Sequence, residues 1–167
     1  MPAFDALYRG ALREPLSATA TNAGSTGFHQ RANVLYISPA RALSADQLNA
    51  ITAYHLPGLN AATYDGDTPA QERRWVREHA NFVLTTPDML NYGILGNHRQ
   101  WANFLRGLRY VVLDEVHSYR GVFGAHIANL LRRLRRVCAL YRVNPVFYGA
   151  SATSANPAES FARLIGV

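Results

Sequence analysis

Val111-Val112-Leu113-Asp114-Glu115-Val116-His117 is an apolar, β-branched run that ends on two adjacent carboxylates. Tyr110 to Leu113 has the length and composition of a strand buried on both faces. The two acids after it are costly to place beside a core unless they face solvent, a metal or a partner. One reading is a strand that closes on a polar turn. The other is a chemical site, because an acid at such a place can hold Mg²⁺ through water while its neighbour orients or deprotonates an attacking water.

The same pattern repeats outward from this stretch. Val34 to Ile37 is a short apolar run closed by Ser38-Pro39, and Arg41 to Tyr54 follows as a helix with Leu43, Leu48 and Ile51 expected inward, ended by Pro57-Gly58. Ala61 to Tyr64 is a second strand closed by Asp65-Gly66-Asp67, and Pro69 to His79 is a helix with proline near its first turn. Phe82 to Thr85 is a third strand ending at Thr86-Pro87-Asp88, with short helices expected over Met89 to Leu95 and Trp101 to Leu105. Beyond the acids, a long helix spans about Val122 to Arg142, and a strand from Pro145 to Ala150 closes at Ser151-Ala152-Thr153. Asn156 to Leu164 reads as a last helix with an Asn cap and Pro157 at its first position. Ahead of all this, Phe4 to Leu12 suits a short helix, and Ser17 to Gly27 is a loop rich in turn formers. Strands that alternate with helices and read apolar throughout predict an α/β fold, a parallel sheet with helices on both faces. In such sheets the working residues collect where the strands end. Asp114, Ser151, Thr86 and Ser38 are therefore expected along one edge.

Composition narrows the partners. The chain has 167 residues, 49% of them hydrophobic, enough for a one-domain core. It contains no lysine, so all 17 Lys/Arg positions are arginine, and the net charge is +6. Such a balance favours a polyanionic partner, although arginine bias also arises as a genomic habit. Cys138 is the single cysteine, which excludes an internal disulfide and a multi-cysteine zinc site. No apolar run approaches the ~18 residues of a spanning helix, and Met1 to Asp5 begins no secretory signal; no membrane partner and a cytoplasmic location are the expectation. In the long helix, Ile127, Leu130, Leu131, Leu134, Cys138 and Tyr141 form the expected buried stripe. Arg132, Arg133, Arg135 and Arg136 lie opposite, as a phosphate-contacting cluster or a plain solvated face. Histidines show no metal-ligand spacing. Gly149-Ala150-Ser151-Ala152-Thr153 approaches the nucleophile elbow of serine hydrolases, but lacks its last glycine and any downstream Asp and His in order.

Taken together, the motifs resemble the DEAD/DEAH helicases of superfamily two, over about Val34 to Val167. Asp114-Glu115-Val116-His117 looks like motif II and Ser151-Ala152-Thr153 like motif III. Ser38-Pro39-Ala40-Arg41-Ala42-Leu43 resembles motif Ia, with Ala40 where the family usually has threonine. Asp65 to Pro69 and Thr85 to Leu90 resemble the following nucleic-acid-facing loops, the second being motif Ib. Tyr119-Arg120-Gly121-Val122-Phe123-Gly124 and the arginine-rich helix are similar to DNA-repair helicases with a C-terminal zinc-binding extension. The resemblance implies a RecA-like, P-loop NTPase-type fold and ATP-driven unwinding of DNA, with RNA the lesser alternative. It implies that Asp114 holds Mg²⁺ through water, that Glu115 positions or deprotonates the attacking water, and that His117 bridges toward motif III. Ser151, Ala152 and Thr153 would couple the nucleotide state to the strand. Pro39, Arg41, Ala42, Gly66, Thr86, Pro87 and Asp88 would line the track of single-stranded DNA, partly through backbone contacts to phosphate.

The departure from the family pattern matters equally. Motif I is G-x-x-x-x-G-K-[ST], whose amides and lysine hold nucleotide phosphates, and a chain without lysine cannot contain it. Residues 1–31 are accordingly expected to form a segment in place of the phosphate-loop region, and 32–167 a RecA-like domain incomplete at its N-terminus. Motifs IV to VI, with the arginine finger, would belong to a second RecA-like domain that the chain lacks. This chain alone is then expected neither to hydrolyse ATP nor to bind Mg·ATP with ordinary helicase affinity. The alternative is a non-catalytic remnant, or a nucleic-acid-binding module without ATPase activity.

Overall fold

Five short runs of apolar residues become the five strands of one parallel sheet. In the computed structural model, which describes residues 32–151 and 157–166, these are β1 (Asn33–Ile37), β2 (Ala61–Tyr64), β3 (Phe82–Thr85), β4 (Leu108–Leu113) and β5 (Val146–Gly149). Their order in space is β2-β3-β1-β4-β5, and every neighbouring pair runs parallel. Parallel neighbours need crossover connections, and helices supply them. These are α1 (Arg41–Thr52), α2 (Ala70–His79), α3 (Pro87–Met89), α4 (Ala102–Arg106), α5 (Gly121–Leu140) and α6 (Pro157–Ile165). A π-helical turn over Leu90–Leu95 continues α3, and a 3₁₀ turn over Val116–Ser118 follows β4. The expected short helix at Phe4 to Leu12, the Ser17 to Gly27 loop and the 1–31 segment lie outside the described residues, as do Ala152, Thr153 and the Asn156 cap.

Side chains alternate across each strand, so two cores form on the two faces of the sheet. Leu35, Ile37, Val83, Val111 and Leu113 face the larger one, where α5 contributes Ile127, Leu131, Leu134 and Cys138. Trp101 is fully buried there, edge-on to Tyr64 at 4.8 Å and to Phe104 at 5.6 Å between ring centroids. Tyr36, Phe82, Leu84 and Val112 face the smaller core, which α1 closes with Ile51. At the β5 end of the sheet, Val146 and Tyr148 remain exposed among the described residues. Burial pushes the Cys138 thiol up to about 11 and leaves it an inert packing group.

Three expectations about helices need correction. Leu43 is exposed (36%), because the buried stripe of α1 runs through Ser44, Leu48 and Ile51, a helical i, i+4, i+7 row that passes Leu43 by. α1 stops at Thr52 instead of Tyr54, where His55 takes a left-handed φ of 46° and ends the helical path. α5 stops at Leu140, so Tyr141 is only half-buried and hydrogen-bonds through its hydroxyl to the His98 carbonyl at 3.0 Å; Val137 takes the buried place. The four arginines opposite the stripe divide. Arg133 donates to the Asn91 side chain and Arg135 to the carbonyls of Ile165 and Gly166, at 3.0 and 3.1 Å, while Arg132 and Arg136 are exposed.

Packing in the larger core should dominate stability. Leu134→Ala, at a fully buried site, is expected to cost about 2–5 kcal/mol. Leu140→Ala, at a residue 70% exposed, is expected to stay within about 0.5 kcal/mol. Urea denaturation of both variants checks the contrast.

Candidate functional site

The carboxyl ends of the strands lie level with one another. Register pairs Tyr64 with Thr85, Thr85 with Ile37, Ile37 with Leu113 and Leu113 with Gly149. The residues that follow are stitched across the gap: Ser38 N–H donates to the Thr85 carbonyl at 3.0 Å, Asp114 N–H to Ile37 at 2.9 Å and Ala150 N–H to Leu113 at 2.8 Å. Ser38, Thr86, Asp114 and Ser151 therefore share one edge.

Asp114 is almost wholly buried (8% exposed). Its Oδ1 accepts the Glu115 N–H at 2.9 Å, and the Tyr36 hydroxyl, from the adjacent strand, lies beside its carboxylate. Burial, then the neighbouring Asp114 and Glu115 carboxylates, raise the Tyr36 hydroxyl well above the ordinary phenol range. Tyr119 is raised likewise, by burial and then by Asp114 and Glu115, and its buried hydroxyl has no hydrogen-bond partner among the described residues. Glu115 holds a left-handed backbone, φ 50° and ψ 44°, unusual for a residue with a β-carbon. That turn brings its Oε2 to 3.1 Å from His117 Nε2, a partly exposed pair worth at most about 1 kcal/mol. His117 and Ser151 line one hollow of about 340 Å³, with Arg120 and Phe161 also on its wall.

Mg²⁺ takes oxygen ligands, keeps several waters and is usually held by one or two carboxylates together with substrate phosphates. Asp114 suits that role, being a carboxylate fixed by the Glu115 N–H beside a second, more exposed acid. No lysine exists to complete a phosphate site, so the fit covers the metal side alone.

A second hollow, of about 240 Å³, is lined by Pro39, Arg41, Gly66, Thr86, Pro87 and Asp88, with Met89 and Phe123. Six of the seven residues read as a nucleic-acid track thus meet on one wall; Ala42 is exposed but does not line it. Sequence patterns did not single out Met89 or Phe123 for this place, nor Tyr36 for Asp114. The loops around the hollow are rigidly built. Asp65 Oδ1 accepts from Asp67 N–H at 2.9 Å and Thr68 N–H at 3.1 Å, an Asx turn. Arg73 braces the same loop by donating to the carbonyls of Thr68, Asp65 and Gly66. Thr86 caps α3, with Pro87 at its first position. Arg41 lies across the loop, paired with Asp67 at 2.6 Å. A β-carbon at Gly66 would come within 3.2 Å of the Arg41 guanidinium.

The DEAD/DEAH box helicase family matches residues 15–161. The chain is 46% identical over 135 residues to the ATP-dependent helicase YprA of Bacillus subtilis, covering 79% of this chain and 18% of that protein. It is 35% identical over 183 residues to the ATP-dependent helicase HRQ1 of Saccharomyces cerevisiae, covering 99% of this chain and 17% of that protein. The crystal structure of the DUF1998 helicase MrfA bound to DNA superposes with a TM-score of 0.78 at 43% identity, covering 81% of this chain and 18% of that one. A second structure of MrfA, bound to DNA and AMPPNP, gives 0.77 at 42%, covering 81% and 19%. The chain thus spans less than a fifth of the length of these relatives.

The turn that leads from the acids into α5 depends on Gly124, where an added β-carbon would sit 2.5 Å from the Tyr119 carbonyl oxygen. Backbone cannot rotate away as a side chain can. Gly124→Ala is expected to destabilise by about 1–3 kcal/mol, and Ala125→Ser, at the exposed neighbour, to stay within about 0.5 kcal/mol. Thermal and urea denaturation measure both.

Proposed function

The chain belongs to the DEAD/DEAH box helicases, and from that premise we propose that it forms the first RecA-like half of an ATP-driven motor that moves along single-stranded DNA. The observation that carries the reading is the meeting of Pro39, Arg41, Gly66, Thr86, Pro87 and Asp88 around one hollow, on the sheet edge that also presents Asp114. DNA is favoured over RNA because the similar MrfA structures hold DNA. Backbone amides and Arg41 facing phosphates suit an enzyme indifferent to sequence.

In this reading Asp114 would hold Mg²⁺ through water, and Glu115 would receive the proton of the attacking water at the carboxylate oxygen that faces His117. When bound, the ion neutralises charge on the transferring phosphate. The Tyr36 hydroxyl, beside the Asp114 carboxylate, would help to orient it. His117 and Ser151, on the wall of a shared hollow, link the acid loop to the end of β5, with Ala152 and Thr153 completing the coupling motif. Residues 32–167 constitute the motor domain, and a second RecA-like domain supplies the opposing half of both the nucleotide site and the strand clamp.

The lysine-free sequence favours a second reading for the chain by itself, a nucleic-acid-binding module without ATPase activity. Asp114 and Glu115 bring two negative charges toward a polyanion, and no ammonium offsets them. Arginine replaces lysine poorly at a phosphate loop, because its planar fork fits a different geometry. An arginine finger, typically worth about 10³-fold or more, would come from the second domain.

Two outcomes are expected. The chain binds labelled single-stranded DNA weakly and without sequence preference, with affinity falling steeply as salt rises; fluorescence anisotropy checks this, and binding indifferent to salt contradicts it. In a phosphate-release assay the chain shows no ATP turnover, with or without single-stranded DNA. DNA-stimulated turnover that disappears in Glu115→Gln would show instead that these residues build a lysine-free phosphate site.

A further inference from the structure

The track hollow does not end at Phe123. A neighbouring hollow of about 510 Å³ shares Pro87, Asp88 and Phe123 with it and continues along the outer side of α5 past Tyr92, His126 and Arg136. Two aromatic rings stand open to solvent on this path, Phe123 at 44% and Tyr92 at 72% exposed. Because both rings line the same hollow, they form a shared apolar surface and are not apolar residues scattered singly. Phe123 is also held in place. Its ring packs on Tyr119 at 5.7 Å between centroids, and α5 begins at Gly121, whose left-handed φ of 58° sets the entry angle of the helix. Tyr92 sits on the π-helical turn that continues α3, and Arg133 pins that turn through the side chain of Asn91.

The charges along the path suit a polyanion. Arg41, paired with Asp67 at 2.6 Å, stands at one end and the exposed Arg136 at the other, with His126 between them and Asp88 the one acid on either wall among the described residues. An open ring between two arginines is the arrangement by which proteins hold single strands: cations follow the phosphates, and bases stack on the aromatic face. A protein partner would be expected to bury Phe123 and Tyr92 together against an apolar surface. Here they alternate with charged groups along a groove.

We propose that Phe123 is a base-stacking platform, with Tyr92 as a second station, on an extension of the single-strand track along α5. The inference rests on the track reading above and adds what the phosphate-facing loops lack, a contact that senses the presence of a base. Stacking on Phe123 accepts any base, so the extension adds affinity without adding sequence preference.

The test uses the whole 167-residue chain and two fluorescent probes of equal length, oligothymidylate and the same strand with a run of abasic sites. The unsubstituted chain is expected to bind the first more tightly, by about tenfold for one stacked base. Phe123→Ala removes that preference, with affinity for the abasic strand and the slope against salt unchanged. Phe123→Leu, which keeps apolar packing on Tyr119 but has no aromatic face, behaves as the alanine variant does, and Phe123→Trp restores the preference. Tyr92→Ala reduces it in part. Salt-dependent binding with no difference between the two probes, or a Phe123→Leu variant that still distinguishes them, overturns the stacking assignment and leaves the phosphate track standing. Equal loss of both probes in the alanine and leucine variants also overturns it, since that marks a structural role. No salt-dependent binding of either probe by the unsubstituted chain overturns the track reading, and the stacking platform with it.

Discussion

The hydrogen bond from the Asp114 N–H to the Ile37 carbonyl, at 2.9 Å, continues the parallel ladder one step past the end of β4. A parallel ladder has evenly spaced, slanted bonds, and carrying it beyond the last strand residue fixes the carboxylate against the neighbouring strand. The consequences spread from there. Tyr36 is brought beside Asp114 because β1 and β4 are neighbours. The chain must then turn sharply at Glu115, which directs the second carboxylate outward to His117. One step further, the Val116 N–H reaches the Ala150 carbonyl at 2.9 Å, so the acid loop and the end of β5 cannot shift independently. A perturbation at either has a direct path of short backbone bonds to the other.

Positive charge is used in two ways. Arg73, Arg133 and Arg135 donate to carbonyls or to an amide side chain within the fold, and act as braces more than as a field. Arg74 and Arg163 pair with acids one turn away on exposed helix faces, where such pairs contribute little. Among the described residues, Arg41 and Arg136 are the exposed arginines on the walls of the groove, and Arg41 is paired with Asp67. A net charge of +6 thus overstates the cations available to a partner, and their placement decides which surface a polyanion meets.

Much of this architecture was legible beforehand, for identifiable reasons. Buried parallel strands read as continuous apolar runs, and each here stops at a polar or turn residue, so all five were visible, β2 and β3 with their observed bounds and the others within two residues. The loops after β1, β2 and β3 carried motif-like strings, and these loops meet. Tyr36 was hidden, because alternation along β1 marks it as a core residue and only the sheet order puts its hydroxyl beside Asp114. Phe123 carried a faint signal, a large apolar residue off the buried stripe of α5 between two glycines. Its role in the groove depends on where the turn after β4 aims the helix, which no local pattern encodes. Leu43 failed for the opposite reason: it is apolar and near the right spacing, but the stripe continues through a serine. The roles given to the individual site residues rest on chemistry and resemblance, and the geometry supplies only their neighbourhood.

Glu115 carries a further implication. A β-carbon in the left-handed basin is disfavoured by roughly 1–2 kcal/mol, and glycine or asparagine at φ 50° would relieve it. A lineage released from nucleotide chemistry would therefore gain stability by exchanging this glutamate, through ordinary drift. Asp114 would be slower to go, since its replacement strips the Glu115 amide of its Oδ1 acceptor at a nearly buried site. Erosion of such a domain into a passive binder would begin at Glu115 and spare Asp114.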